Sequence, residues 1–291
     1  MTPRLNMGAV AGVLYVVATP IGNLGDLSPR AIDILKSATR LLAEDTRRTR
    51  SLLSHLGIEH PRVERFDAHT EDGRADTILD ALAAGESIAL VSDAGTPLVS
   101  DPGAGLVALC RARGQKVVPV PGASAVLTAL MGCGLLQSGR FHFFGFVPRS
   151  GVARADALAR IVNELDAVVL FESADRTDAT IAELAALQPN RVASIARELT
   201  KVYEEFRSGS LEELAKQTTT PLGEVVIVLG EVTLEDEAIT NEALDARIDA
   251  ALERGEHAKT IASQLAAWSS RPRRDVYERV VGRKLARRGP S

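Results

Sequence analysis

Short apolar runs recur along this chain between segments whose apolar residues fall at helical spacing, the alternation expected of strand–helix units. The pattern predicts strands at 14–18, 40–43, 62–66, 87–92 and 116–120, and again at 141–146, 167–171, 191–196, 203–208 and 224–230. Helices are predicted between them, including 30–37, 153–165, 177–187 and 210–217. Ser28 before Pro29 reads as an N-cap followed by proline at the first helical position. Thr70 before Glu71 and Asp72 reads as the start of a helix that Gly85 closes. Helices between strands predict sheets that are largely parallel. Beyond an acidic stretch at 231–240, three short helices are expected at 241–253, 257–267 and 272–286. The expected organisation is a flexible N-terminus (1–12), an α/β domain (13–120), a second α/β domain (121–232), and a linker with a small helical unit (233–291).

With 291 residues, 45% hydrophobic and 25% charged, the chain has ample material for more than one core. The apolar stretch 7–18 follows a single Arg4 and runs into Thr19-Pro20-Ile21-Gly22, so a first strand and its loop are expected rather than an export signal. The uncharged stretch 117–136 is long enough to span a bilayer. Pro119, Pro121, Gly122, Gly132 and Gly134 divide it, predicting strand, turn and buried helix and no membrane segment. The two cysteines, Cys110 and Cys133, have no metal-ligand spacing to the five histidines. They suggest packing thiols in a reduced, cytoplasmic setting, with no metal site. His69, His142 and His257 stand alone in the sequence and read as structural histidines. The net charge is −4, yet the segment 271–291 holds eight Lys or Arg residues against two acids. That basic arm, on a helix-turn-helix-like layout, would suit a phosphate backbone or simply a solvated terminal helix.

The candidate chemistry lies where predicted strands end. Ser92-Asp93-Ala94-Gly95-Thr96-Pro97 opens a turn-rich loop that runs on to Asp101 and Gly103, directly behind a buried strand. In an open α/β sheet that edge is where ligands bind, although the same residue types also build ordinary connections. Three more strand ends converge there: 19–23, 44–49 and 120–125. No Gly-x-Gly-x-x-Gly fingerprint, Walker loop or nucleophile elbow is present, which disfavours hydride transfer, nucleotide hydrolysis and serine hydrolase chemistry.

Taken together, Ala18 to Leu24, Ala43-Glu44-Asp45-Thr46-Arg47-Arg48-Thr49-Arg50, Val91 to Gly103, Pro121-Gly122-Ala123-Ser124-Ala125, Gly145-Phe146-Val147-Pro148, Ala196-Arg197-Glu198-Leu199-Thr200-Lys201 and Gly223-Glu224-Val225-Val226 resemble the tetrapyrrole-methylase superfamily of S-adenosylmethionine-dependent methyltransferases. The likeness is closest to its branch that 2′-O-methylates a cytidine of small-subunit ribosomal RNA. It implies a two-domain tetrapyrrole-methylase-like α/β fold with parallel-rich sheets and a small C-terminal helical domain. It also implies a homodimer, with S-adenosylmethionine between the two domains against Pro20, Ile21, Gly22, Asn23, Ser92, Asp93, Ala94, Gly95, Thr96, Pro97, Pro121, Gly122 and Ser124. Where corrin-type relatives carry Gly-x-Gly-Pro-Gly-Asp and Gly-Asp-Pro, this chain has Ala18-Thr19-Pro20-Ile21-Gly22-Asn23 and Gly95-Thr96-Pro97, which argues against a tetrapyrrole substrate. Ala123 stands where the RNA branch is expected to carry proline.

Transfer of a methyl group to a ribose hydroxyl is helped by a base, and Asp45, Asp93, Glu198 and a deprotonated Lys201 are the candidates. Arg47, Arg48 and Arg197 offer guanidinium forks for phosphate or base, and Arg273, Arg274, Arg287 and Arg288 for the RNA backbone. The cluster at 44–48 would equally suit salt bridges at a helix start, and that at 197–201 a strand-end ion-pair group. The expected partner is small-subunit ribosomal RNA or the assembled small subunit. The alternatives are a methylase of a corrin-type small molecule and a non-catalytic RNA-binding assembly factor on the same fold.

Overall fold

The computed structural model describes residues 10, 12–67, 70–217, 223–232, 241–269 and 271–286. Five strands, β1 (Val13–Val17), β2 (Arg40–Ala43), β3 (Val63–Arg65), β4 (Ile88–Val91) and β5 (Lys116–Val120), form one sheet in the order β3-β2-β4-β1-β5. All its pairings are parallel. Period-two alternation sends the two faces into two cores. Val13, Tyr15, Val17, Leu41, Ala89 and Val91 pack with Ala31, Ile34 and Leu35 of α1 (Pro29–Ser37) and Leu53 of α2 (Thr46–His55). Leu14, Val16, Leu42, Ile88 and Leu90 pack with α3 (Glu71–Ala83) and α4 (Ala104–Ala112) on the other side. Burying such a side chain is worth about 1.5–3 kcal/mol, so both faces hold their helices firmly.

Local signals act as expected at Ser28, whose hydroxyl accepts the amide of Ala31. Thr70 differs: its hydroxyl turns back to Asp67 and does not cap α3. Glu71 instead reaches across to accept the amides of Gly103 and Leu106 at 3.2 and 2.8 Å, capping α4 from α3.

The second sheet joins β6 (Phe141–Phe146), β7 (Ala167–Ser173), β8 (Val192–Arg197), β9 (Glu205–Ser210) and β10 (Glu224–Leu229) in the order β6-β7-β10-β8-β9. Here the parallel expectation holds only between β6 and β7. β10 runs antiparallel to both β7 and β8, and β9 runs antiparallel to β8. The segment between β8 and β9, 198–204, is too short for the crossover that a parallel pair requires, so the chain must turn back. One face of this sheet packs on α6 (Gly151–Asn163), α7 (Ala174–Leu187) and α8 (Leu211–Ala215). The other receives α5 (Ala125–Cys133) together with Ile21 from the end of β1, tying the two sheets into one body.

The uncharged stretch 117–136 is thus strand β5, a turn, and helix α5, which buries one face and leaves Leu127 and Met131 exposed where a fully buried helix was expected; among the described residues no helix is long and apolar enough to cross a membrane. Helices α9 (Asn241–Glu253), α10 (Ala258–Ser269) and α11 (Arg273–Ala286) share a small core of Leu244, Ile248, Ile261, Trp268, Val276 and Val280. The expected flexible N-terminus, the acidic stretch between β10 and α9, and Arg287 and Arg288 fall almost wholly outside the described residues.

Candidate active site

The carboxyl ends of β1, β2 and β4 open together onto one rim. There the chain after β1 and the loop after β4 are stitched by paired backbone hydrogen bonds, Thr19 to Gly95 at 2.9 Å and Gly95 to Thr19 at 3.1 Å. Thr19 Oγ1 also donates to the carbonyl of Ser92, and Thr96 Oγ1 to that of Ala123. The backbone at Gly95 has φ +88°, and a Cβ there would lie 3.1 Å from Ile21 Cγ2. Only glycine adopts this bend without strain.

Between that rim and the second sheet lies a cleft of about 1070 Å³. Its first wall is charged, with Glu44, Asp45, Arg47, Arg48, Asp93 and Asp101 among the lining residues. Asp45 is the N-cap of α2, accepting the Arg47 amide at 2.8 Å and the Arg47 guanidinium at 2.8 Å, and these bonds hold its carboxyl far below the usual range. Asp93 accepts the Asp45 amide at 2.9 Å and faces Arg48 at 3.9 Å. Asp101 takes a bond from the Ser92 hydroxyl, yet burial, with the nearby Asp93 charge, pushes its carboxyl up. Glu44 is raised by partial burial and then by the charges of Asp93, Asp101 and Asp67, against a weaker pull from Arg48.

The opposite wall, from the second sheet, is more apolar: Phe146, Phe171, Val225 and Val226 line it beside Glu172 to Asp175 at the start of α7. Phe146 and Phe171 meet edge to face with centroids 5.4 Å apart, and the exposed Phe146 ring is available to a flat ligand. Beneath this wall Glu172 is fully buried, accepting Thr180 Oγ1 at 2.7 Å and the Ser173 amide at 2.9 Å and pairing with Arg176.

The model of the family described as tetrapyrrole (corrin/porphyrin) methylases matches residues 13–215. The chain belongs to this family. A Xylella fastidiosa protein named ribosomal RNA small subunit methyltransferase I is 44% identical over 271 residues, 91% of this chain and 98% of its own length. A Synechocystis protein of the same name is 40% identical over 92% of this chain and 96% of its length. In fold, the family member resembles a uroporphyrin III C-methyl transferase from Thermus thermophilus, with TM-score 0.54 and 20% identity over 75% of this chain and 97% of that one. It also resembles a diphthine synthase, with TM-score 0.57 and 18% identity over 75% of this chain and 90% of that one.

On this methylase fold the residues expected from the sequence separate into groups. Ile21, Asp93 and Ala94 line the cleft, as do Asp45, Arg47 and Arg48. Ser92 is buried and supports the loop through Asp101, while Gly95 and Thr96 brace it against Thr19 and Ala123. Pro97 is buried, whereas Pro20, Asn23, Pro121 and Ser124 flank the loops, Asn23 capping the turn at Leu24–Asp26 and Ser124 capping α5. Gly122 and Gly22 are close-approach points: a Cβ would sit 2.9 Å from Ala18 Cβ at the first and collide with Lys201 Cγ at the second.

Glu198 and Lys201 bond one another at 3.0 Å, with Glu224 3.5 Å from the ammonium. Lys201 bonding lowers Glu198. Burial tends to lower Lys201, but its bond to Glu198 and the charge of Glu224 more than offset this and raise it, so the condition for a neutral amine base is not met. Arg197 pairs with Glu205 away from the cleft lining. On α11, Arg273 is exposed and Arg274 pairs with Glu278 at 3.0 Å, while Arg279 and Arg283 bind Asp245 and Asp249 of α9, so part of the basic charge is already matched. His142 is not isolated: its Nε2 lies 3.4 Å from Glu164 and 3.5 Å from Asp166, on the sheet edge away from the cleft.

Sequence reasoning placed Glu44 in the cluster at 44–48 without giving it a role of its own, and did not single out Arg65, Phe146 or Phe171 as site residues, although all four line the cleft. For Glu44 a signal existed: it is the first residue beyond β2, at the edge where an α/β sheet binds ligands.

Proposed function

We propose that this protein transfers a methyl group from S-adenosylmethionine to the 2′-hydroxyl of a cytidine in small-subunit ribosomal RNA, in the free RNA or the assembled subunit. The observation that carries this reading is the 44% identity to a ribosomal RNA small subunit methyltransferase across nearly the whole of both chains. The chemistry of the cleft suits the donor. S-adenosylmethionine carries a sulfonium and an ammonium, and the Asp93 and Asp101 wall favours positive charge, while Phe146, Phe171 and Val226 offer a surface for an aromatic base. Ile21, Asp93, Ala94 and the tight turn at Gly95 would hold it.

When bound, that group supplies a methyl carbon activated by a positively charged sulfur. The work left to the protein is placement: near-attack geometry is worth roughly 7–11 kcal/mol and a positioned base about 10²- to 10⁴-fold. The braced loop at 92–97 suits the first task. Arg48 and Arg65, with little else to bind beyond Asp93 and Asp67, face the cleft as donors for RNA phosphate. Two further parts of the reading are a cytoplasmic setting and a homodimer, whose second copy would cover the exposed Leu127 and Met131 of α5 and Val202 and Tyr203 before β9.

The test is incubation with methyl-labelled S-adenosylmethionine and small subunits lacking the modification. Label is expected in a 2′-O-methylcytidine after nuclease digestion. Label in a precorrin and none in RNA would establish the corrin alternative, and RNA binding without label the assembly-factor alternative.

A further inference from the structure

The acids around the cleft are nearly all spent on the protein itself. Asp45 caps α2 and holds Arg47; Asp93 holds the Asp45 amide; Asp101 is bound by Ser92; Asp67 binds Arg65 and Thr70. On the far wall Glu172 is buried on Arg176, and Glu224 faces Lys201. The Arg47 bonds hold the Asp45 carboxylate in its charged form and weaken it as a proton acceptor, and the oxygens of the others are taken up by partners within the protein. Glu44 and Asp175 are the cleft carboxylates with neither a hydrogen bond nor an ion pair among the described residues. Asp175 lies in the first turn of α7, on the wall across the cleft from the braced loop 92–97. Glu44 follows Ala43, whose β4 partner is Val91, so it projects from the rim beside Asp93 and across from the Phe146 and Phe171 wall.

We infer that Glu44 is the general base of the reaction, the uncommitted carboxylate that accepts the proton of the attacking hydroxyl. The inference rests on the methyl-transfer reading above. The hydroxyl oxygen bonds the methyl carbon, the electron pair of the broken carbon–sulfur bond stays on sulfur, and the released proton passes to a Glu44 Oε, which later returns it to water. Partial burial and the negative charges of Asp93, Asp101 and Asp67 raise the proton affinity of Glu44, against the pull of Arg48. A base moved toward neutral pH is a better acceptor for a hydroxyl proton.

The experiment compares wild type, Glu44→Gln, Glu44→Asp and Asp175→Asn as full chains. It measures S-adenosylmethionine and subunit affinities by calorimetry, and single-turnover methyl transfer as a function of pH. Glu44→Gln is expected to lose at least about 100-fold in rate and the rising acidic limb of the pH profile, with both affinities within about twofold of wild type. Glu44→Asp is expected to recover part of the rate and keep the limb. A Glu44→Gln rate within about threefold of wild type, an unchanged limb, or a loss confined to Asp175→Asn overturns the assignment while leaving the proposed reaction standing. Wild-type protein that binds S-adenosylmethionine but methylates no subunit overturns the reaction, and Glu44 with it.

Discussion

Two glutamates border the same cleft and do opposite things. Glu44 stands at the end of a strand in the parallel sheet, exposed and without a hydrogen bond or ion pair among the described residues, whereas Glu172 lies near the end of β7 with its side chain wholly out of solvent and every oxygen engaged. The contrast extends to the two walls. At the cleft the parallel sheet brings Glu44, Arg47 and Arg48 to the rim, where they meet whatever enters, and the second sheet keeps Glu172 buried with Arg154 4.0 Å away. At the other end of the second sheet, away from the cleft, burial of Arg191 pulls its guanidinium down to about 10. One wall is equipped for chemistry, and the other uses the same residue types as a frame.

If Glu172 is part of the frame, its loss should be felt in stability more than in catalysis. Glu172→Ala leaves Arg176 with its main counter-charge gone and Arg154, at 4.0 Å, with one acid fewer. Breaking a buried pair in this way costs about 3–5 kcal/mol, readable as a shifted urea midpoint. A cost below about 1 kcal/mol would remove the distinction between the walls. The same measurement on Glu44→Gln should show almost no change, because no bond is lost.

An intermediate effect is expected where the loops after β1 and β4 cross. Gly95→Val places a branched side chain at φ +88° and against Ile21, at a residue whose amide and carbonyl both bind Thr19. Strain of this kind is worth roughly 1–3 kcal/mol. S-adenosylmethionine affinity should fall about tenfold or more while the urea midpoint moves less than for Glu172→Ala. Unchanged affinity would detach this loop from donor binding.

Much of this frame can be read from the sequence, and the unread part has identifiable causes. Period-two apolar runs and the Ser28-Pro29 start mark strands and α1 because those signals are local. The antiparallel half of the second sheet is less visible, since periodicity reports burial and not direction; only the short segment 198–204 betrays the reversal. Thr70 looks like a cap because Thr is a capping residue, but Asp67 captures it first. At the cleft, Asp45, Arg47, Arg48, Asp93 and Gly95 are legible from strand ends. Which acid is left free is not, because that depends on every partner the fold supplies.

The smallest effect concerns a third arrangement, ion pairs that are neither free at a rim nor sealed in a core. Asp245 on α9 meets Arg279 at 2.9 Å and Arg283 at 2.9 Å, with its side chain 21% exposed. The Arg279 bond, with the charges of both arginines, holds its carboxyl below the usual value. A depressed carboxyl stabilises the fold above its ordinary titration range, near pH 4, and that contribution disappears as pH falls through the depressed value. The chain's one tryptophan, Trp268, is buried in this helical unit under the Arg247 guanidinium, so its fluorescence reports on the unit selectively. Asp245→Asn should weaken the unit by about 1 kcal/mol at pH 7, in keeping with a partly exposed pair, and by progressively less as pH falls through the depressed value and the wild-type carboxyl takes up its proton. A deficit that persisted unchanged into acid would mean that the aspartate acts through packing, and the charge gradation from rim to core would lose its middle step.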